Sequence, residues 1–134
     1  MILSVITVVY NDLEGIKSTV QSLSSLLKRD DVEYIVIDGL SNDGTKEFLS
    51  GCDNIDFFLS ESDSGIYDAM NKGLSKSSGD FVLFINSGDT LVEEFPLIDS
   101  LSGYLNYDIV LGQVIRTSKS GPTVQRKELV RSVV

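Results

Sequence analysis

Four short segments of the chain are apolar almost without interruption, and each ends abruptly in polar residues. They are "ILSVITVV" at 2–9, "YIVID" at 34–38, "IDFFLS" at 55–60 and "DFVLFIN" at 80–86. Continuous rather than alternating apolar character marks strands covered on both faces of a parallel sheet. Between them the period becomes helical. Ile16, Val20, Leu23 and Leu27 recur at spacings of three and four, with Asn11 or Asp12 placed to cap that helix. Ser41 and Asp43 precede a shorter helical pattern through Phe48 and Leu49, and Ile66, Ala69, Met70, Gly73 and Leu74 form a third stripe. The order β-α-β-α-β-α-β predicts an open, mostly parallel α/β sheet with helices on both faces. The last third differs: residues 107–126 read as two antiparallel strands around a Ser-Gly-Pro turn, and the pattern assigns nothing to "ELVRSVV".

Length and composition narrow this picture. A chain of 134 residues suits a single domain, 1–134, and 42% apolar with 23% charged residues is the balance of a folded globular protein. A net charge of -9 with scattered Lys and Arg argues against a nucleic-acid surface. The chain has no histidine, which removes Ser-His-Asp triads and His-ligated zinc; carboxylates, hydroxyls, amides and oxygen-bound metals remain. The lone Cys52 forms no internal disulfide, and "MILSVITVVY" lacks a basic leader and reaches Asn11 and Asp12 too soon for a signal peptide. A cytoplasmic protein is the expectation.

The polar clusters fall where ligands bind in open α/β sheets, outside the carboxyl ends of the strands. Tyr10 and Asn11 follow the first strand, Asp38 to Thr45 the second, Glu61 to Gly65 the third, and Asn86 to Asp89 the fourth. Turns and helix caps also collect such residues. On that reading Asp43 is a cap, Asp63 a turn residue, and Asp68 with Lys72 a surface pair. Asp89 has no apolar helical stripe directly after it, so its best use is as an oxygen ligand for a divalent ion that itself holds phosphates. "GLSNDGTK" at 39–46 reverses the Lys-then-Thr order of a P-loop, and no GxGxxG follows the first strand.

Four blocks in order, "SVITVVYN" at 4–11, "VIDGLSNDGT" at 36–45, "NKG" at 71–73 and "GDFVLFINSGD" at 79–89, resemble the family 2 glycosyltransferases, inverting enzymes of the GT-A fold. The stretch "SESDSGIYDAMNKG" at 60–73 is similar to bacterial enzymes of exopolysaccharide synthesis, the colanic-acid type among them. The resemblance implies a nucleotide-diphosphate sugar donor held by Val8, Tyr10, Asp38, Ser41, Asp63, Asn71 and Gly88, with the base near Tyr10 and Asp38. It implies Mg²⁺ or Mn²⁺ on Asp89 as Lewis acid, a glycan or lipid-linked acceptor, and peripheral contact with the inner face of a membrane.

Two positions depart from the family pattern. Gly39 stands where many relatives carry a second aspartate, and Asn86-Ser87-Gly88-Asp89 offers one carboxylate where others carry two or three. The general base of an inverting transfer lies, in the family, well past the metal motif. Glu93, Glu94, Asp99, Asp108 and Glu128 match no such position, so the base is expected beyond Val134, in an acceptor-binding part that this chain lacks. Two other readings compete: a nucleotide-sugar-binding module without catalysis, and a receiver-like signalling domain, which needs an acceptor aspartate where Ser60 and Glu61 stand.

Overall fold

A computed structural model of the chain describes residues 2–92, 97–104, 106, 109–118 and 121–131. The strands are β1 (Leu3–Val9), β2 (Val32–Asp38), β3 (Phe57–Ser60), β4 (Phe81–Phe84), β5 (Ile109–Ser118) and β6 (Gly121–Arg131). The helices are α1 (Leu13–Leu23), α2 (Thr45–Ser50), α3 (Ile66–Leu74) and α4 (Leu97–Leu101), with short 3-10 turns at Leu26–Lys28 and Ser102–Tyr104. The six strands form one sheet in the order β3-β2-β1-β4-β6-β5. β1 runs parallel to β2 and β4, β2 parallel to β3, and β6 antiparallel to both β4 and β5.

Both faces of the parallel strands are covered, as their unbroken apolar runs require. On one face Leu3, Val5, Val9, Tyr34, Val36, Phe81 and Leu83 pack with Ile16 and Leu23 of α1, Leu49 of α2, and Ile98 and Leu101 of α4. On the other, Ile6, Val8, Ile35, Ile37 and Val82 pack with Ala69 of α3. Alternate residues of each strand therefore serve opposite layers. Each such aliphatic side chain taken fully from water stabilises the fold by about 1.5–3 kcal/mol. The Tyr34 hydroxyl donates to Thr7 Oγ1 at 3.0 Å within the first layer, and burial pushes its pKa up to about 12.

Several local expectations change. Asp12, not Asn11, caps α1, its Oδ1 accepting from the Gly15 amide at 3.1 Å. The third stripe is narrower than its sequence suggests: Ile66 and Leu74 are exposed, and α3 meets the sheet through Ala69, Met70 and Gly73. A Cβ at Gly73 would lie 2.5 Å from Ile6 Cγ2, so the helix sits closer to β1 than any side chain there would allow. β6 runs on through Arg131, which takes in most of the unassigned "ELVRSVV". Lys72 does pair with Asp68, at 3.4 Å, and also with Glu61 at 2.9 Å. The Cys52 thiol lies 3.4 Å from the Phe48 carbonyl, and burial pushes its pKa up, as suits an inert thiol.

The strand order has a functional consequence. From β1 the chain steps outward to β2 and β3, then crosses back to lay β4 on the other side of β1. This reversal opens a crevice at the carboxyl ends of β1 and β4, the place where open sheets bind ligands. A receiver domain has the order 2-1-3-4-5 and its switch point between other strands, so that reading is set aside. No helix among the described residues is long and apolar enough to cross a membrane.

Candidate functional site

The loops leaving β1 and β2 are tied to each other. Asn11 holds a left-handed backbone, φ 47°, which Asn tolerates better than most residues. Its amide donates to Ser41 Oγ at 2.8 Å and its side-chain oxygen accepts from the Asn42 amide at 2.8 Å. Asp43 spans the same gap: Oδ2 accepts from the Leu13 amide and Oδ1 from the Thr45 amide, both at 3.1 Å. Asp43 thus serves the start of α2 as expected, whereas Ser41 does not. The Ser41 hydroxyl donates to Asp38 Oδ1, and its amide approaches both Asp38 oxygens at 3.1 and 3.3 Å. Ser60, closing β3, donates to Asp38 Oδ2 at 2.7 Å. Asp38 is wholly buried, its carboxylate the hub that joins the loops after β2 and β3.

The loop after β4 is anchored from below and from the side. The Ile85 amide donates to the Ile6 carbonyl at 3.0 Å and the Ser87 amide to the Val8 carbonyl at 3.1 Å, carrying the β1–β4 pairing past Phe84. Ser87 Oγ donates to Asp12 Oδ2 at 2.7 Å, across the crevice. Thr19, fully buried on α1, accepts from the Gly88 amide at 3.0 Å and donates to the Asp89 carbonyl at 2.7 Å. Ser22, one turn further on, accepts from the Leu91 amide at 3.0 Å. Gly88 has φ 88°, and with Asp89 it is exposed at the rim. The Asn86 side-chain oxygen is buried with no hydrogen-bond partner among the described residues.

The expected site residues divide accordingly. Val8 is buried and offers its carbonyl to Ser87; Ser41 and Asp38 form the buried hub; Tyr10 stands 66% exposed at the rim. Asp63 lies beside Gly39, where an added Cβ would come within 2.8 Å of its Oδ2 and 3.3 Å of Tyr10 Cδ2. Asn71 is exposed on the second turn of α3, and no side-chain hydrogen bond ties it to these loops. Thr19, Ser22 and Ser60 escape a reading by motif. Thr19 has one signal in sequence: it is polar between Ile16 and Leu23, on the buried stripe of α1. Glu93, Glu94 and Asp108 lie outside the described residues.

An acidic switch-point site on a 3-2-1-4 sheet with an antiparallel extension defines the class, a GT-A-like α/β fold. The chain belongs to the family described as glycosyl transferase family 2, which matches residues 4–131. It is 46% identical over 87 residues to the uncharacterized glycosyltransferase MT1564 of Mycobacterium tuberculosis, covering 64% of this chain and 33% of that protein. Among solved structures it is similar to S. aureus TarS, with TM-score 0.66 and 27% identity, covering 83% of this chain and 21% of that one. It is similar also to glucosyl-3-phosphoglycerate synthase from Mycobacterium tuberculosis in complex with Mg²⁺ and UDP, with TM-score 0.52, 29% identity, and 64% and 33% covered. The chain thus spans a third or less of the length of these proteins. The colanic-acid subgroup finds no specific support among them.

Proposed function

We propose that residues 1–134 are the donor-binding domain of an inverting glycosyltransferase that passes a sugar from a nucleotide diphosphate to a glycan or lipid-linked acceptor in polysaccharide synthesis. The observation that carries this reading is the crevice itself. Loops from β1, β2 and β4 are hydrogen-bonded into one rim at the switch point, with Asp89 exposed on it and fixed through Thr19.

The charges at this edge bear on how a diphosphate is held. Asp12, Asp43, Glu61, Asp63, Asp68 and Asp89 stand in its loops and first helical turns, and the Lys72 ammonium is already shared among Glu61, Asp68 and the Ser62 carbonyl. The hydrogen bond that Lys72 donates to Glu61, reinforced by Asp68, holds the Lys72 pKa above its ordinary value. A diphosphate enters such a field with a divalent cation to offset the repulsion. The donor set fits Mg²⁺ or Mn²⁺ sparingly: Asp89 would hold the ion through one carboxylate, and phosphate oxygens and water would complete an octahedron. When bound, the ion supplies Lewis-acid stabilisation of the departing diphosphate. No group of three or more acidic or thiol ligands occurs among the described residues, so affinity for the ion without nucleotide is expected to be weak.

The chain's own residues position the donor. Tyr10 offers its ring face to the base, the Asp38–Ser41–Ser60 hub fixes the loop beneath it, and Gly88 brings bare backbone to the rim. Inversion requires that an acceptor hydroxyl lose its proton to a base as it attacks the anomeric carbon opposite the diphosphate. We assign that base to no residue of this chain. Contact with the inner face of a membrane, where lipid-linked acceptors lie, belongs to the same reading.

Calorimetric titration with UDP and GDP, each with Mn²⁺ and with EDTA, tests the donor site. Asp89→Ala should remove the metal-dependent part of the affinity, about 10-fold or more, and leave the melting temperature within a few degrees. Equal affinity of variant and wild type in Mn²⁺ would refute the metal role. Donor binding by a longer protein that carries this domain, with no transfer to any acceptor, would favour a binding module.

A further inference from the structure

The acid expected to read the nucleobase is Asp38, yet its oxygens are already occupied by Ser41 and Ser60 and the residue has no exposure. A second carboxylate stands close by. Asp63 Oδ1 accepts from the Gly65 amide at 2.9 Å, while Oδ2 has no hydrogen-bond donor among the described residues. That free oxygen borders the backbone of Gly39, with the Tyr10 ring on the other side, since one added Cβ would touch both. Tyr10 and Leu40 are 66% and 53% exposed, so the strip is open to solvent.

Resting on the donor-site reading, we propose that Asp63, in place of Asp38, is the residue that reads the base, Oδ2 accepting the ring N–H of a base laid against Tyr10. The juxtaposition also accounts for Gly39. A side chain there would fill the space between Tyr10 and Asp63, so the carboxylate that many relatives carry at this position reaches the site from the loop between β3 and α3 instead. One open anionic acceptor selects by charge and direction. Uracil N3 and guanine N1 each carry an in-ring N–H at the edge that meets it. Cytosine N3 and adenine N1 present a lone pair at the corresponding position, which a carboxylate repels. The donor is therefore a uridine or guanosine diphosphate sugar.

The test is titration of the 134-residue chain in Mn²⁺ with UDP, GDP, CDP and ADP, and with 3-methyl-UDP and 1-methyl-GDP, whose ring N–H is replaced. Wild type should prefer UDP or GDP, and methylation of the preferred base should weaken it at least about 10-fold, the loss expected for a hydrogen bond to a charged group. Asp63→Ala should lose a similar factor for the parent nucleotide and become indifferent to methylation. Asp63→Asn, which can keep the bond to the Gly65 amide and present an amide N–H at the Oδ2 position, should narrow the preference for UDP over CDP. That shift would not follow from a merely structural role. Wild-type binding indifferent to methylation, or methyl discrimination that survives in Asp63→Ala, would overturn the assignment to Asp63 alone. No binding of any nucleotide by wild type would bring down the donor-site reading with it.

Discussion

At the N-terminal edge of the sheet, Glu33 Oε1 takes hydrogen bonds from the Ser4 hydroxyl and from the amide and hydroxyl of Ser78, and Ser4 Oγ accepts from the Gly79 amide at 2.8 Å. At the C-terminal edge the same ingredients, acids, serines and glycines, are arranged in two levels. Asp38, Ser41 and Thr19 are buried and saturated, and above them Tyr10, Leu40, Gly88 and Asp89 are exposed. The backbone differs as well. Among the described residues every positive φ, at Asn11, Leu40, Gly44, Gly65 and Gly88, falls in a loop of the C-terminal edge. One edge uses polar groups to close strand ends; the other uses its buried polar groups to hold a second, exposed set in place, with backbone strain stored beside them.

The largest expected effect tests that layering at Thr19. Thr19→Val keeps the shape but leaves the Gly88 amide and the Asp89 carbonyl without their partner, which should cost about 1–3 kcal/mol of stability in thermal or urea unfolding. If the buried level positions the exposed one, the ratio of nucleotide affinity in Mn²⁺ to that in EDTA should also fall several-fold, and Thr19→Ser should restore it. A loss of stability with an unchanged ratio would reduce Thr19 to packing and break the comparison at its strongest point.

Much of the exposed level was legible in the sequence. Asp63 and Asp89 interrupt apolar patterns at strand ends, and a strand that stops in Asn-Ser-Gly-Asp has few structural uses for its acid. The buried level was not. Thr19 and Ser60 bond to residues 70 and 22 positions away, and such pairings appear only once the strand order brings the loops together. The strands are legible because burial on both faces leaves one kind of pattern, while the α3 stripe is narrower than its period, because periodicity cannot tell that Gly73 draws the helix in and leaves Ile66 and Leu74 outside. Gly39 looked like a missing acid; in space it is room made for another one.

Glu33 gives a smaller effect and a sign. Burial alone would raise its pKa, but hydrogen bonds from Ser4, then Ser78 and Gly79, outweigh burial and hold it below the ordinary 4.5. The unfolded chain then binds the proton more readily than the folded one. The contribution is therefore present above about pH 4.5 and lost as pH falls through the lower folded value. Because the group is only partly buried, solvent screening should keep the effect under about 1 kcal/mol. Glu33→Gln should melt slightly lower than wild type at pH 7, show a flatter decline of melting temperature below pH 4.5, and leave nucleotide affinity unchanged. Weaker nucleotide binding in that variant would mean that the two edges are coupled through the sheet.

The smallest effect is expected at Leu40, and its interest lies in two readouts moving apart. A leucine at φ 66° with half its surface exposed is held in a backbone region that favours glycine, at a cost on the order of 1 kcal/mol. Leu40→Gly relieves that strain but frees the unfolded chain by about 0.4–1 kcal/mol, so stability should change by less than about 1 kcal/mol, with a slight gain the expected direction. Affinity should move the other way. The loop at 39–42 carries Gly39 beside Tyr10 and Asp63, and a glycine pair there has more conformations to lose when a base arrives, which predicts nucleotide binding a few-fold weaker. Paired thermal melts and titrations of the one variant decide the matter. A gain in stability with a loss in affinity means that the strain is kept for the ligand. A loss in stability with affinity unchanged means that Leu40 is held by packing alone, and the strain at this edge would then have no bearing on binding.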